Sequence, residues 1–219
     1  MNRPMDYVDD TPEAILHFWF GDSITEGIEA TARFNSWFQP TPKHDALLRD
    51  RFVATVERAV AGEFDHWIES PLGSLALIIL LDQLTRTIYR GTRGAFATDA
   101  RASAIALQGI ERQFDLGLTL IERVIFYIPF EHAENLEMQD RCVGYFQQLD
   151  DLATPEFKEI TAACVVSSRE HREVICKFGH FPHRNEVLGR SSTDEELEWV
   201  EHHHGWGQSK RDAKGAESL

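Results

Sequence analysis

Basic residues are in short supply: 22 Lys and Arg stand against 36 Asp and Glu, for a formal net charge of −14. A surface this acidic repels nucleic-acid backbones and anionic membranes, so neither is expected as a partner, and an anionic ligand would need a local basic pocket. Cysteine is nearly absent. Cys142, Cys164 and Cys176 are odd in number and stand in no metal-ligand spacing, and the first residues lack the basic-then-apolar pattern of a signal peptide. A reduced, cytoplasmic protein is the expectation. No apolar run approaches the roughly 20 residues that a membrane span needs. There is no confident period-two alternation, linker or low-complexity block, and no phosphate loop, dinucleotide fingerprint or His-Glu-x-x-His motif. Those absences leave a helical protein without an obvious cofactor, and none is expected.

What is present is helical spacing, aromatic weight and one very apolar stretch. Hydrophobic residues make up 42% of the chain, with five Trp and fourteen Phe, enough for a full core in 219 residues. Thr11-Pro12 opens a helix that ends at Gly21, and a second covers about Ile28 to Phe38, with Phe34, Trp37 and Phe38 on one stripe. A third runs from Lys43 to Ala61, stopped by Gly62. Pro71 opens a helix whose residues Leu75 to Leu81 are apolar without interruption, and Gly91-Thr92-Arg93-Gly94 breaks it. A helix that is hydrophobic all round belongs at the centre of the molecule. Further helices read Thr98 to Ile110, Leu118 to Tyr127, and Phe130 to about Leu149 after a restart at Pro129. Thr154-Pro155 starts a long one that ends near Gly179, and the capping box at Thr193 starts a short last one. The fold expected is all-α, a single array of about nine helices over residues 11–201, between a loose start (1–10) and a polar tail (202–219). The triplet His202-His203-His204 in that tail reads as solvated.

Chemistry concentrates where this pattern is broken. Asp82, Gln83, Arg86 and Arg90 interrupt the central apolar helix, and Asp82 and Arg86 are four apart in the order that favours an ion pair. Glu131, His132 and Glu134 share one predicted helix start, where the positive end of the dipole would keep the imidazole neutral, as a base or metal ligand requires. His171 falls on the apolar stripe of the long helix. The loop Phe181-Pro182-His183-Arg184-Asn185 and nearby Arg190 offer imidazole, guanidinium and amide groups suited to a carboxylate or phosphate.

The strings LALIILLDQ..R..YRGT..AFA.D, ER...Y.PFEH.E....Q and HREVI.KFG.FPHRN..LGR.ST.EE resemble a bacterial family designated domain of unknown function 924, across about residues 12 to 200. The resemblance implies an all-helical fold similar to tetratricopeptide-like superhelices and brings no established activity. It carries signature polar positions to Asp82, Gln83, Arg86, Arg90, Glu131, His132, Glu134, Gln139, His171, His183, Arg184, Asn185 and Arg190. This chain departs at Thr85 and Thr87, where the family tends to have Pro and Asn, and at His180, where it tends to have Arg.

Two functions follow. In the first, a small polar or anionic molecule is bound or transformed: Arg86 and Arg184 hold it, His132 or His171 moves a proton, and Glu131 or Asp82 orients the imidazole, with Gln83, Arg90, Glu134, Gln139, His183, Asn185 and Arg190 as further binding residues. A metal-assisted variant would use Asp82, Glu131, Glu134, His171 and His183. In the second, the array presents a groove to a peptide or protein partner, and the polar residues are a structural network.

Overall fold

The computed structural model describes residues 10–21, 37, 41–203 and 206. Apart from Trp37, the helix expected at 28–38 lies outside them. Among the described residues the chain is all-α, with no strand. Helix α1 (Pro12–Phe20) starts where Thr11 accepts the Ala14 N–H, and α2 (Pro42–Val60) starts in the same way at Thr41. A 3₁₀ turn, Asp65–Glu69, leads into the central rod. The rod is α3 (Pro71–Ile78), a π-helical stretch (Ile79–Leu84) and α4 (Thr85–Ile88) in unbroken succession, and every residue from Leu75 to Leu81 is fully enclosed. Its start is tight: a Cβ on Gly73 would lie 2.2 Å from the Trp67 carbonyl oxygen. Pro71–Ile88 is apolar and long enough to cross a membrane, and 83% of that window is buried inside the protein.

Around the rod pack α1, α2, α5 (Asp99–Glu111) and α6 (Leu120–Glu131), the last opened by a capping box between Thr119 and Glu122. Helices α7 (Leu136–Leu152) and α8 (Lys158–Phe178) pack on each other and on α6, and α8 ends at Gly179 in the left-handed region. A 3₁₀ turn (Pro182–Arg184), α9 (Asn185–Leu188) and α10 (Asp194–His202) complete the described chain. Thr193 and Glu196 form the capping box of α10. Val174, Ile175 and Phe181 make a small second cluster beside the main core, with Phe178 and Trp199 against it.

One element differs from the sequence expectation in a way that matters. Pro129 does not restart a helix; it sits inside α6, whose last residue is Glu131, and the next helix begins only at Leu136 behind an Asn135 cap. Proline removes one hydrogen bond to the preceding turn and is costly in a helix interior, but Pro129 stands two residues from the end of α6, and the carbonyls left open by that end are met from outside. Ser103 donates to the Pro129 carbonyl at 2.8 Å, and Gln139 Nε2 donates to the carbonyls of Glu131 (2.6 Å) and Ala133 (2.9 Å). Glu131 and His132 therefore stand at the negative end of a helix dipole, opposite to the end expected.

Candidate functional site

The π-helical stretch carries the first side chain of the site. Such widened turns cluster at functional positions, and this one has its carbonyls engaged by side chains: Leu81 O accepts the hydroxyls of Thr85 and Thr98, and Asp82 O accepts Arg86 Nη1. Asp82 is completely enclosed. Its Oδ1 accepts from Arg86 Nη1 at 3.0 Å and lies 2.8 Å from His132 Nδ1, while Oδ2 takes the Gln83 amide and lies 3.0 Å from the same ring nitrogen. A carboxylate only accepts, so Nδ1 carries the His132 proton and Nε2 keeps its lone pair.

A second pair stands beside the first. Ser167 Oγ donates to Glu131 Oε1, and His171 Nδ1 lies 2.9 Å from that oxygen and 2.9 Å from the Ser167 carbonyl. Both neighbours accept, which fixes the proton of His171 on Nδ1 as well. The two imidazoles are 6.4 Å apart at 62°. Neither Nε2 has a hydrogen-bond partner among the described residues, and neither is among the sealed unpaired atoms. His132 is the most open member, with 16% of its side chain exposed against 6% for His171 and none for Asp82. Solvent therefore meets the cluster at an imidazole.

Two guanidiniums close it. Arg86 gives Nη1 and Nη2 to both oxygens of Asp99 at 3.0 Å; Arg184 joins Asp99 Oδ2 at 2.9 Å and donates to the His132 carbonyl at 3.0 Å. The Arg184 guanidinium lies 4.5 Å from the ring centres of both Phe96 and Phe181. Three carboxylates (Asp82, Asp99, Glu131) against two guanidiniums leave the cluster one negative charge when its imidazoles are neutral.

These neighbours set the proton affinities. Burial alone would raise the Asp82 carboxyl, but Arg86 and then His132 hold it down at about 2. Burial lowers His132, and Arg86 lowers it further, against the opposite pull of Asp82. The neutral imidazole expected from a helix N-terminus is thus supplied by desolvation and a guanidinium. With His132 neutral near pH 7, Arg86 and the hydrogen bonds from His132 Nδ1–H and the Gln83 amide keep Asp82 ionised, and an imidazolium adds its charge only in acid. Glu131 is lowered in spite of burial, chiefly by His171. Burial brings Arg184 down to about 10 against the pull of Asp99.

The expected site residues are thus divided. Asp82, Gln83, Arg86, Glu131, His132, His171 and Arg184 come together. Glu134 and Arg190 form a two-pronged ion pair (2.7 and 2.9 Å) that also holds the backbone N–H and C=O of Phe181, pinning the loop. Gln139 caps α6. Arg90 is spent on Asp45 at 3.0 Å, away from the cluster, and Asn185 donates to Ser192. His183 stands next to the site with its Nδ1 buried and without a partner among the described residues; burial and Arg184 push its proton affinity well down. Among the described residues no three or more His, Cys, Asp or Glu side chains are arranged to hold a metal ion, so Asp82, Glu131, Glu134, His171 and His183 do not form the ligand set of the metal-assisted variant. His202 and His203 bond backbone carbonyls of α10. Sequence reasoning missed Asp99, Ser167 and Trp206, whose indole stacks on His171 at 3.7 Å. Asp99 reads as an ordinary acid at a helix start, and no spacing links it to Arg184, 85 residues on.

No curated protein matches this chain. A solved structure of a protein of unknown function, ATU0120 from Agrobacterium tumefaciens, is similar to it with a TM-score of 0.72 and 33% identity, over 88% of this chain and 97% of that one. The family described as "Bacterial protein of unknown function (DUF924)" matches residues 15–204, and with nearly the whole helical array inside that match, the chain belongs to this family.

Proposed function

We propose that the Asp82–His132 and Glu131–His171 pairs form an acid–base site for a small polar molecule, in an array of tetratricopeptide-like kind working in the cytoplasm. The observation that carries this reading is the pairing itself: two imidazoles 6.4 Å apart, each with Nδ1 turned to a buried carboxylate. A carboxylate on Nδ1 fixes the tautomer and stabilises the imidazolium that forms when Nε2 takes a proton. His132, held neutral by burial and Arg86, suits the role of base, and the second imidazole is close enough to serve the same bound molecule. Arg86 and Arg184 then serve as counter-charges rather than as an anion clamp, because Asp82, Asp99 and the His132 carbonyl already take the terminal Nη donors of both. A neutral polar ligand meets no such competition, so it fits better than an anion. Three free cysteines, two of them buried, accord with a reducing compartment.

The pairing of both guanidiniums with Asp82, Asp99 and the His132 carbonyl also supports a second reading, a purely structural network in a scaffold for a peptide or protein partner. Nitrogen NMR of histidine-labelled protein separates the two. The acid–base reading requires His132 at pH 7 to be neutral, with its proton on Nδ1, and requires small polar molecules that raise the melting midpoint by mass action to lose that effect in His132→Ala. An imidazolium at His132, or stabilisation indifferent to the substitution, would leave the scaffold.

A further inference from the structure

Trp206 belongs to neither hydrophobic cluster. It is flanked in sequence by Gly205 and Gly207, is 37% exposed, and has a φ of 49°, in the left-handed region that non-glycine residues resist. Among the described residues its contacts are with other rings. The indole lies 3.7 Å from the His171 ring at 26°, 5.8 Å from Phe181 at 77°, and 5.6 Å from His183 at 66°. Trp199 adds a tilted contact at 6.1 Å, and one stacked partner with two edge-on ones is an arrangement in which a planar ring is held. Those three partners are fixed without it. His171 is tied through Nδ1 to Glu131 and to the Ser167 carbonyl, Phe181 is pinned at its backbone by Glu134 and Arg190, and His183 lies in a 3₁₀ turn opened by Pro182.

An independent observation points to a missing polar partner. His183 is more than nine-tenths buried, and its Nδ1 has no hydrogen-bond partner among the described residues. A buried polar atom left unpaired is costly until something bonds it, and the indole leaves it unbonded. We infer that His171, Phe181 and His183 form a slot for a planar nitrogen heterocycle, which the chain's own Trp206 occupies in this structure and which a ligand ring enters by displacing it. The inference stands on ring geometry and the unpaired nitrogen, and holds whether or not His132 and His171 carry out chemistry.

The test is the reactivity of His171 toward diethyl pyrocarbonate, which acylates unprotonated imidazole nitrogen, read residue by residue by mass spectrometry on the full chain. Trp206→Ala should raise the rate at His171 several-fold and leave the exposed His66 unchanged. Adenine, as a planar nitrogen heterocycle, should return His171 to its slow rate in that variant, and cyclohexanol, similar in size but not planar, should not. An unchanged rate in Trp206→Ala, or a rise that adenine fails to reverse, overturns the slot. Should the substitution lower the melting midpoint, the unaltered chain decides: excess adenine must shift the Trp206 indole N–H and the His171 Hε1 resonances together, and stationary resonances overturn it. The tautomer of His132 is measured separately, so failure here does not touch the acid–base reading.

Discussion

Asp82→Asn removes the most enclosed charge of the cluster while keeping its shape. Arg86 Nη1 then faces an amide in place of a carboxylate, and His132 Nδ1 loses its charged acceptor. Breaking one side of a buried ion pair costs about 3–5 kcal/mol, and because Asp99 still holds Arg86 by two hydrogen bonds, the lower end of about 3 applies. Proton linkage gives a second route to the magnitude. The folded carboxyl is held at about 2 against an ordinary 3.8, which corresponds to roughly 2–3 kcal/mol. The folded value lies below the unfolded one, so the unfolded chain binds more protons in this window. The stabilisation is complete above about pH 5, roughly halved by pH 3, and gone below about pH 2. Urea unfolding followed by circular dichroism at pH 7, 5 and 3 should therefore show a gap between parent and variant of about 2–3 kcal/mol that narrows in the most acid series. A gap under about 1 kcal/mol at pH 7, of the size seen for exposed pairs, or one that stays constant down to pH 3, would refute the assignment of Asp82 as a buried, paired carboxylate.

Asp99→Asn should be as damaging, at about 3–5 kcal/mol, since Asp99 takes three hydrogen bonds from two buried guanidiniums; a denaturation midpoint close to the parent's would contradict this. Ser103→Ala strips the Pro129 carbonyl of its donor and should lower stability by about 1–3 kcal/mol, again by urea titration. Gly109→Ala would place a Cβ 2.5 Å from Phe126 Cζ; the overpacking should cost about 1–3 kcal/mol, and calorimetry should find much of it restored in the double variant with Phe126→Leu. Thr193→Ala breaks the capping box of α10 and should cost about 1 kcal/mol, with amide exchange accelerating first in the 194–197 turn.

Local signals were readable and distant ones were not. Thr11, Thr193 and Gly179 announced their caps because capping chemistry is contained within a few residues. Leu75 to Leu81 announced the rod, and the four-residue spacing of Asp82 and Arg86 announced their pair. His171 followed from the stripe of α8. Pro129 misled because proline's usual effect is to start or break a helix, whereas here it stands in the last turn of α6, whose end carbonyls are met by Ser103 and Gln139 from other helices. Asp99 and Ser167 carry no periodic signature: Asp99 takes its meaning from Arg86 and Arg184, 13 and 85 residues away, and Ser167 from Glu131, 36 residues away. The π-helical stretch left no trace in the apolar run because every residue around it is buried alike, so there was no amphipathic phase to slip.

That stretch has one more consequence. A single residue turns an α-helix by about 100°, and a π-helical turn takes up about one extra residue without passing that rotation on, so the swollen coil at Ile79–Leu84 keeps the two halves of the rod in phase. Shortening the chain by one residue there would leave an ordinary helix of nearly the same length with Arg86 and Ile88 still facing their partners, whereas a deletion within Pro71–Ile78 would turn everything downstream by about 100°. The coil should accordingly be the place in the rod that best tolerates the loss of one residue.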